Sequence, residues 1–160
     1  MASSREYPER PIVGVGGVVI VDGKAVLIRR GSEPLKGQWS IPGGSLELGE
    51  TLERGVEREL LEETGLVVRI VEFIEVFDRV YGDDQEKPQF HYVIVDYLCE
   101  RVGGELKAGG DAMDVALAGE EELERFGLTE TATRILRKAF GMEEKRRGKA
   151  EKDMRQSGQG

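Results

Sequence analysis

The first part of the chain contains long runs of β-branched apolar residues, which favour β-strands. Residues 12–30 (IVGVGGVVIVDGKAVLIRR) contain two β-branched runs joined at Asp22-Gly23, a dipeptide typical of tight hairpins. Leu66–Val80 is rich in β-branched residues, and residues 90–100 (FHYVIVDYLCE) alternate as a strand does. The pattern therefore predicts strands in all of these segments, and one further short strand after Gly103-Gly104.

Three segments have the composition of helices. Thr51–Thr64 consists of good helix formers and is followed by a glycine, a common C-terminal stop. Glu120–Phe126 and Thr129–Phe140 favour helix as well. Residues 37–50 are rich in Gly and Pro and predict a loop, and residues 108–114 (AGGDAMD) predict an irregular one.

Strands interleaved with one early helix and ending in helices indicate an α/β/α or α+β layer architecture. The chain of 160 residues is near the usual size of one domain. We place this domain at residues 11–140. Residues 1–10 are polar and predict a flexible segment, and residues 141–160 have few apolar side chains and predict a disordered tail.

Composition limits the classes of function. The formal net charge of -8 argues against general nucleic-acid binding, which needs a broad basic surface. No apolar run reaches the roughly 20 residues of a membrane-spanning helix, and no apolar signal segment begins the chain. The single Cys99 forms no internal disulfide and lies in an apolar run, so we expect it to be buried in a cytoplasmic protein.

The helix predicted at Thr51–Thr64 places acidic residues beside its buried face. On a helical wheel, Leu52, Val56 and Leu60 fall within about 80° of each other and must face the core. Glu59 and Glu63 fall within about 20° of Leu52. Unpaired carboxylates at such positions are costly unless a positive charge is supplied.

On the same wheel Glu62 lies about 80° to one side of Leu52, so three carboxylates share or border the buried face. Two sources of positive charge are compatible with this group. Arg58 offers one positive charge. A hard divalent cation such as Mg²⁺ or Mn²⁺ would offer more, because glutamates at i, i+3 and i+4 present oxygen ligands on one side of a helix.

The spacing of glycines and charged residues around this helix carries a family resemblance. The sequence reads Gly44-x5-Glu50-x7-Arg58-Glu59-Leu60-x-Glu62-Glu63-x-Gly65-Leu66, preceded by Gly37-x-Trp39-x-x-Pro42-Gly43-Gly44. It resembles the full signature of the Nudix hydrolases at every defined position. The resemblance implies an α/β/α sandwich with a mixed β-sheet, a catalytic loop–helix–loop, and Mg²⁺-dependent hydrolysis of a nucleoside diphosphate linked to another group.

The same resemblance implies roles for the residues of the motif. It assigns Glu59, Glu62 and Glu63 as metal ligands, with Mg²⁺ as the cofactor and Mn²⁺ as an alternative. Gly43 or Gly44 would add a backbone carbonyl. Arg58 would orient Glu59, and Glu50 would support the loop and the start of the helix.

Candidate site residues outside the motif are open to two interpretations. Trp39, Tyr81 and His91 are candidates for substrate binding, although Trp39 is as compatible with core packing and His91 with a structural hydrogen bond. A general base is expected from the loop at residues 108–114, where Asp111 is our choice. The rival carboxylates for this role are Asp114, Glu105 and Glu120, and each is also compatible with ordinary surface charge.

Residues 90–100 and 103–114 resemble the corresponding parts of small prokaryotic ADP-ribose pyrophosphatases. Leu117 departs from that pattern, which usually has a tryptophan there. The resemblance implies a small nucleotide as partner and the conversion of ADP-ribose to AMP and ribose 5-phosphate. The alternatives are a hydrolase of oxidised nucleoside triphosphates, a dinucleoside polyphosphate hydrolase and a non-catalytic binding domain; the intact glutamates argue against the last. A homodimer also stays open.

Overall fold

The computed structural model describes residues 5–158, and within this range seven strands join in one mixed sheet with helices on both sides. The strands are β1 Ile12–Val21, β2 Lys24–Arg30, β3 Trp39–Ser40, β4 Gly43–Ser45, β5 Leu66–Gly82, β6 Pro88–Gly104 and β7 Ala112–Ala118. The helices are α1 Leu52–Thr64, a 3₁₀ helix at Glu120–Phe126, and α2 Glu130–Ser157.

Strand β1 lies at the centre of the sheet. The strand order is β3-β2-β1-β6-β5, with β4 paired to β1 and β7 paired to β2. β1 runs parallel to β6, and every other pairing is antiparallel. The hairpin between β1 and β2 turns at Asp22 and Gly23, which both have positive φ as such a tight turn requires.

Neighbouring residues of the central strands point into different cores. Val18 and Leu27 pack in one hydrophobic cluster with Leu136 of α2. Val19 packs with Leu60 of α1 in a second cluster on the other side of the sheet. Because side chains alternate across a strand, each central strand contributes to both layers. This arrangement confirms the predicted α/β/α architecture.

Helix α1 begins and ends where its sequence indicates. The Thr51 hydroxyl accepts a hydrogen bond from the Arg54 N–H at 3.2 Å, as a helix N-cap does. Gly65 follows the helix with φ of 75° and donates its N–H to the Leu61 carbonyl at 3.0 Å. A side chain at Gly65 would also overlap the Glu105 carbonyl, so both its conformation and its surroundings require glycine.

The predicted disordered tail is wrong for most of its length, because α2 continues to Ser157. Met142 packs partly against the core cluster of α2, and Arg146 binds Glu100 of β6 at 2.9 Å. These contacts extend a helix already held by its buried residues. Most of the following residues are good helix formers, and each added residue contributes one backbone hydrogen bond. Residues 159 and 160 lie outside the described part.

Two other expectations also need correction. Residues 5–10 do not behave as a loose segment, since the Tyr7 N–H donates to the Gln89 carbonyl at 2.7 Å and the Tyr7 hydroxyl donates to Asp83 at 2.8 Å. Residues 1–4 lie outside the described part. The loop predicted at 108–114 is irregular only up to Asp111, because β7 begins at Ala112, where pairing with β2 outweighs the local turn composition.

No helix within residues 5–158 has the length and apolar character needed to cross a membrane. The domain boundaries at residues 11 and 140 stay a prediction.

The extension of α2 leads to a stability prediction. Leu136→Ala should lower the free energy of unfolding by about 2–5 kcal/mol, because Leu136 is fully buried and its truncation leaves a cavity. Deletion of residues 148–160 should change it by less than about 0.5 kcal/mol, because the described residues of this stretch are exposed. Urea denaturation measures both. A deletion as costly as Leu136→Ala would contradict this account of α2.

Candidate functional site

The loop before α1 lies directly against the centre of the sheet. Gly43 and Gly44 belong to β4 and pair with Gly16 and Val15 of β1. A Cβ atom at Gly44 would lie only 2.5 Å from the Glu59 carboxyl carbon, and one at Gly43 would overlap the Val15 carbonyl. Glycine at position 44 therefore lets the Glu59 carboxylate approach the backbone of β4, and glycine at position 43 lets β4 lie close to β1.

Glu63 is the most deeply buried carboxylate of α1, with 5% of its surface exposed. Its Oε1 atom accepts a hydrogen bond from the Gly43 N–H at 2.6 Å. Burial raises the pKa of Glu63 to about 8, and the nearby charges of Glu59 and Asp111 act in the same direction. A positive charge placed here would stabilise the ionised form.

Arg58 connects α1 to the loop that precedes it. Its guanidinium donates to both carboxylate oxygens of Glu50, at 2.6 and 2.9 Å, and to the Ser45 carbonyl at 3.0 Å. It also donates to Glu59 at 2.8 Å and to Glu62 at 3.3 Å. Arg58 therefore links Glu59 to the loop, and its orienting role in catalysis stays a prediction.

Glu50 accepts hydrogen bonds both from within this loop and from Arg58 of α1. Its carboxylate accepts the Glu47 N–H at 3.0 Å in addition to the Arg58 guanidinium. The hydrogen bonds from Arg58 lower the pKa of Glu50 to about 2, with the Glu47 N–H contributing in the same direction. Glu50 is thus ionised and committed to structure, which agrees with the supporting role expected for it.

Two of the three glutamates, Glu59 and Glu63, lie against the backbone of β4, and the third is exposed. Burial raises the pKa of Glu59, against the opposing effect of Arg58, so both Glu59 and Glu63 would be stabilised by a cation. Glu62 is exposed and contacts Arg58. Across residues 5–158, no three acidic, His or Cys side chains form a ready-made metal cluster. Mg²⁺ commonly uses few carboxylates, with water and substrate phosphates completing its shell, so a ready-made cluster is not required.

A pocket opens beside β4, on the face of the sheet that Glu63 borders. We call it the central pocket. Its walls come from β4, from the first turn of α2, and from side chains of β5 and β6, namely Phe77, Arg79, Tyr81, Tyr92, Ile94 and Asp96. Gly14 and Gly16 of β1 leave its floor free of side chains. The pocket therefore joins the acidic end of α1 to a mixed apolar and polar surface.

Several charged residues of the central pocket were missed by the sequence analysis, among them Asp96 and Arg79. Asp96 is 3% exposed, and burial raises its pKa to about 7 against the influence of Arg79. Arg79 donates to the Tyr81 hydroxyl at 2.8 Å and to Thr129 Oγ1 at 3.1 Å. A carboxylate within the apolar run VIVDYL was the available signal for Asp96, whereas Arg79 had none.

The structure separates the three candidates for substrate binding. Tyr81 lines the central pocket. Trp39 lies outside the lining and packs edge-on against Phe126, with ring centroids 5.3 Å apart, so its contacts agree with the packing alternative. His91 is also outside the lining, while its neighbour Tyr92 lines it. Successive residues of a strand face opposite sides, which corrects the expectation for His91.

Among the candidate bases, Asp111 lines the central pocket. Its carboxylate accepts a hydrogen bond from the Ser32 hydroxyl at 2.5 Å, and its carbonyl accepts the Gly31 N–H at 2.8 Å. The rivals Asp114, Glu105 and Glu120 are outside the lining, as is Leu117. The position of Asp111 near Glu63 agrees with its choice as base, which stays a prediction.

The Glu50–Arg58 contact predicts a pH-dependent stability. Because the pKa of Glu50 falls from 4.5 to about 2 on folding, its ionised form stabilises the fold above pH 4.5, and this contribution is lost as the pH falls toward 2. Glu50→Gln should lower the free energy of unfolding at pH 7 by about 1.5–3 kcal/mol. The difference from the parent should shrink below pH 4.5.

Urea denaturation at several pH values measures this difference. Glu57→Gln is the matched control, because it removes an equal charge from an exposed position of α1. A Glu50→Gln effect that is the same at pH 7 and pH 3 would contradict the assignment.

Comparison with known proteins shows a similarity that covers most of the chain and not only the motif. A family model for the NUDIX domain matches residues 10–139. An ADP-ribose pyrophosphatase from Methanocaldococcus jannaschii is 39% identical over 104 residues, which are 65% of this chain and 59% of that protein. The nucleoside triphosphatase NudI of Escherichia coli is 27% identical over 107 residues, 63% of this chain and 75% of that protein.

Solved structures agree with these sequence matches. The crystal structure of a MutT NUDIX hydrolase from Burkholderia pseudomallei has a TM-score of 0.70 and 29% identity, and the match covers 81% of this chain and 98% of that one. The glycine loop, the Arg58 contacts and the glutamates of α1 all lie inside the matched range. On these grounds the chain belongs to the Nudix family.

Proposed function

We propose that this protein is a Mg²⁺-dependent hydrolase that cleaves ADP-ribose to AMP and ribose 5-phosphate. The observation that carries the proposal is the position of Glu59 and Glu63 against the Gly43-Gly44 backbone, at one end of the central pocket. This supports a cation site beside the space that a diphosphate would enter. The similarity to the Methanocaldococcus jannaschii ADP-ribose pyrophosphatase supports the same substrate.

The charge distribution of the pocket supports a diphosphate ligand. The chain carries a formal net charge of -8, which would repel a diphosphate from most of its surface. Arg30 and Arg79 nevertheless both line the central pocket. Arginine side chains recognise phosphate oxygens through several N–H donors at once. A small anionic nucleotide therefore meets favourable charge in the pocket itself.

Glu59 and Glu63, with the Gly44 carbonyl, would hold the cation, and Glu62 would join them on exchanging its exposed contact with Arg58 for the cation. Bound Mg²⁺ would neutralise charge on the diphosphate oxygens and lower the pKa of the attacking water. The chain's own residues supply orientation: Arg58 holds Glu59 in place, and the Gly43 N–H holds Glu63. Asp111 faces the same space and is our candidate to accept the proton of the water.

A second function is favoured by a different similarity. The nucleoside triphosphatase NudI of Escherichia coli matches a comparable share of this chain, although at lower identity. Leu117 in place of tryptophan also departs from the ADP-ribose pyrophosphatase pattern. A nucleoside triphosphate would use the same glutamates but would leave sugar-binding groups of the pocket without a partner. The expected homodimer and cytoplasmic location stay predictions.

Substrate preference tests the proposal directly. The protein should hydrolyse ADP-ribose with a higher kcat/KM than oxidised dGTP, because polar groups placed for a second ribose are left unpaired by a triphosphate. Products are identified as AMP and ribose 5-phosphate by chromatography. Excess chelator should stop the reaction and millimolar Mg²⁺ should restore it. A clear preference for the triphosphate would overturn the substrate, and turnover in chelator would overturn the cation requirement.

Removing the charge of a single glutamate tests the site residues. Glu63→Gln and Glu62→Gln should each lower kcat by about 100-fold or more, because the change removes negative charge from the cation site and keeps the side-chain shape. Glu57→Gln is the matched control, since it changes an exposed glutamate of the same helix. A variant that turns over within a few-fold of the parent would show that its residue is not a ligand.

A further inference from the structure

Within residues 5–158, helix α1 covers only part of its side of the sheet. Val15 of β1 packs in one cluster with Val56 and Leu60 of α1 and is 2% exposed. Val13 lies two residues earlier, so its side chain points to the same side of the sheet, yet it is 38% exposed. The cover that α1 provides therefore ends between these two valines.

The uncovered part of this side is apolar, and we call it the open face. Directly paired residues of neighbouring strands share a face of the sheet, so the register of β1, β6 and β5 identifies its members. The open face consists of Val13, Phe73, Val76, Val80, Val93 and Tyr97. Phe73, Val76 and Val80 are each more than half exposed. The Phe73 and Tyr97 rings meet edge-on, with centroids 6.1 Å apart, so the patch is continuous across β5 and β6.

The area of the open face is comparable with the apolar part of a stable protein interface. Single exposed apolar residues are normal, but a contiguous patch indicates an interaction site. Its six partly exposed side chains offer on the order of 400 Å² of surface. A standard interface covers about 800 Å² on each partner, of which a little over half is non-polar. The open face therefore supplies the apolar share of such a contact, and the polar residues around it would supply the rest.

The free edge of the sheet is less suited to a partner than the open face. β5 ends the strand order, but its pairing with β6 shifts register at four places. Such irregularities, and charged side chains such as Arg69 and Glu72, oppose the addition of another strand. A partner is therefore expected to pack on the side chains of the open face, as one sheet packs on another.

The shape of this side fits a second copy of the same chain. A helix with its side chains is about 10–12 Å across, and two sheets pack face to face about 10 Å apart. In a two-fold arrangement, the two α1 helices would thus occupy the same layer as the shared core, one at either end of it. A partner with a broad flat surface would meet α1 before it reached the open face.

Two polar residues on this side favour the same partner. Asp78 pairs with Val93, and His91 pairs with Val80, so both polar side chains project beside the open face. A two-fold axis makes each contact twice, so Asp78 of either copy can lie against His91 of the other. An imidazole N–H donates to a carboxylate, and complementary groups of this kind fix the register of an interface.

We propose that the open face is the interface of a homodimer, in which the β5–β6 surfaces of two copies pack on each other and enclose Phe73 and Val76. Phe77 and Ile94, which line the central pocket, point to the opposite side of the sheet. The dimer would therefore leave the central pocket of each copy accessible.

The test measures the mass of the full chain by sedimentation equilibrium at about 1–100 µM, because the dimer fraction depends on concentration. The parent should have twice the mass of one chain. Val76→Glu and Phe73→Glu should each raise the dimer dissociation constant at least about 100-fold, because a charge enters the desolvated contact twice in each dimer. Both positions are more than half exposed, so the monomer should stay folded, which circular dichroism checks.

Val102→Glu is the matched control. Val102 is a valine of β6 with 58% exposure and lies outside the open face, so this variant should dimerise as the parent does. If the glutamate variants do not fold, Val76→Thr replaces them, since it keeps the shape of valine and should still weaken the dimer several-fold.

Three results would overturn the proposal. The first is a parent that stays monomeric at about 100 µM, whatever other partner covers the face. The second is a folded Val76→Glu or Val76→Thr protein as dimeric as the parent. The third is a Val102→Glu protein that dissociates as readily as Val76→Glu. No turnover is measured, so the outcome is independent of the proposed function.

Discussion

The Arg58 guanidinium is the contact on which the arrangement of the site depends. One side chain binds Glu50 in the loop, the Ser45 carbonyl at the end of β4, and Glu59 and Glu62 on α1. Its planar set of donors can meet several acceptors at once, which a lysine ammonium does not do in the same geometry. The loop and the helix are thereby fixed relative to each other, and Glu59 is held over Gly44.

The arrangement of the site also depends on glycine residues of the central strands. At Gly44 the backbone is close enough to the Glu59 carboxylate that no side chain fits, and at Gly16 the same is true of Asp96. Two glycines of the sheet therefore let two carboxyl groups lie directly against the backbone: Gly44 faces Glu59, and Gly16 faces Asp96. Close approach of polar groups to backbone is a common reason for glycine in a strand.

The site holds two buried carboxyl groups, Glu63 and Asp96, that lack a basic hydrogen-bond partner among residues 5–158. Burial raises the pKa of both Glu63 and Asp96, and neither meets a basic side chain in a hydrogen bond within residues 5–158. Such groups lower stability unless a ligand supplies positive charge or hydrogen-bond donors. Buried polar groups that lower the stability of the fold are typical of functional sites. Both groups line one pocket, so a single ligand could meet both of them.

Local features were predictable because they depend on residues close in the sequence. The caps of α1 at Thr51 and Gly65 and the turn at Asp22-Gly23 follow from backbone preferences of a few residues. Spacing along one helix likewise indicated the carboxylates of α1. The extent of α2 was not predictable in this way, because its continuation depends partly on the contact of Arg146 with Glu100 of a distant strand.

By itself, the sequence determined the architecture, the helix that bears Glu59, Glu62 and Glu63, and the glycine loop facing it. Only the tertiary structure decided which faces of β5 and β6 form the pocket. Alternation along β6 separates His91 from Tyr92 and Asp96, but the choice between the two faces depends on pairing with β1 and on the packing of α2. Arg79 lies in β5, Asp96 in β6 and Asp111 in the loop before β7. Long-range strand pairing brings them to one pocket, and a local sequence pattern does not show such pairing.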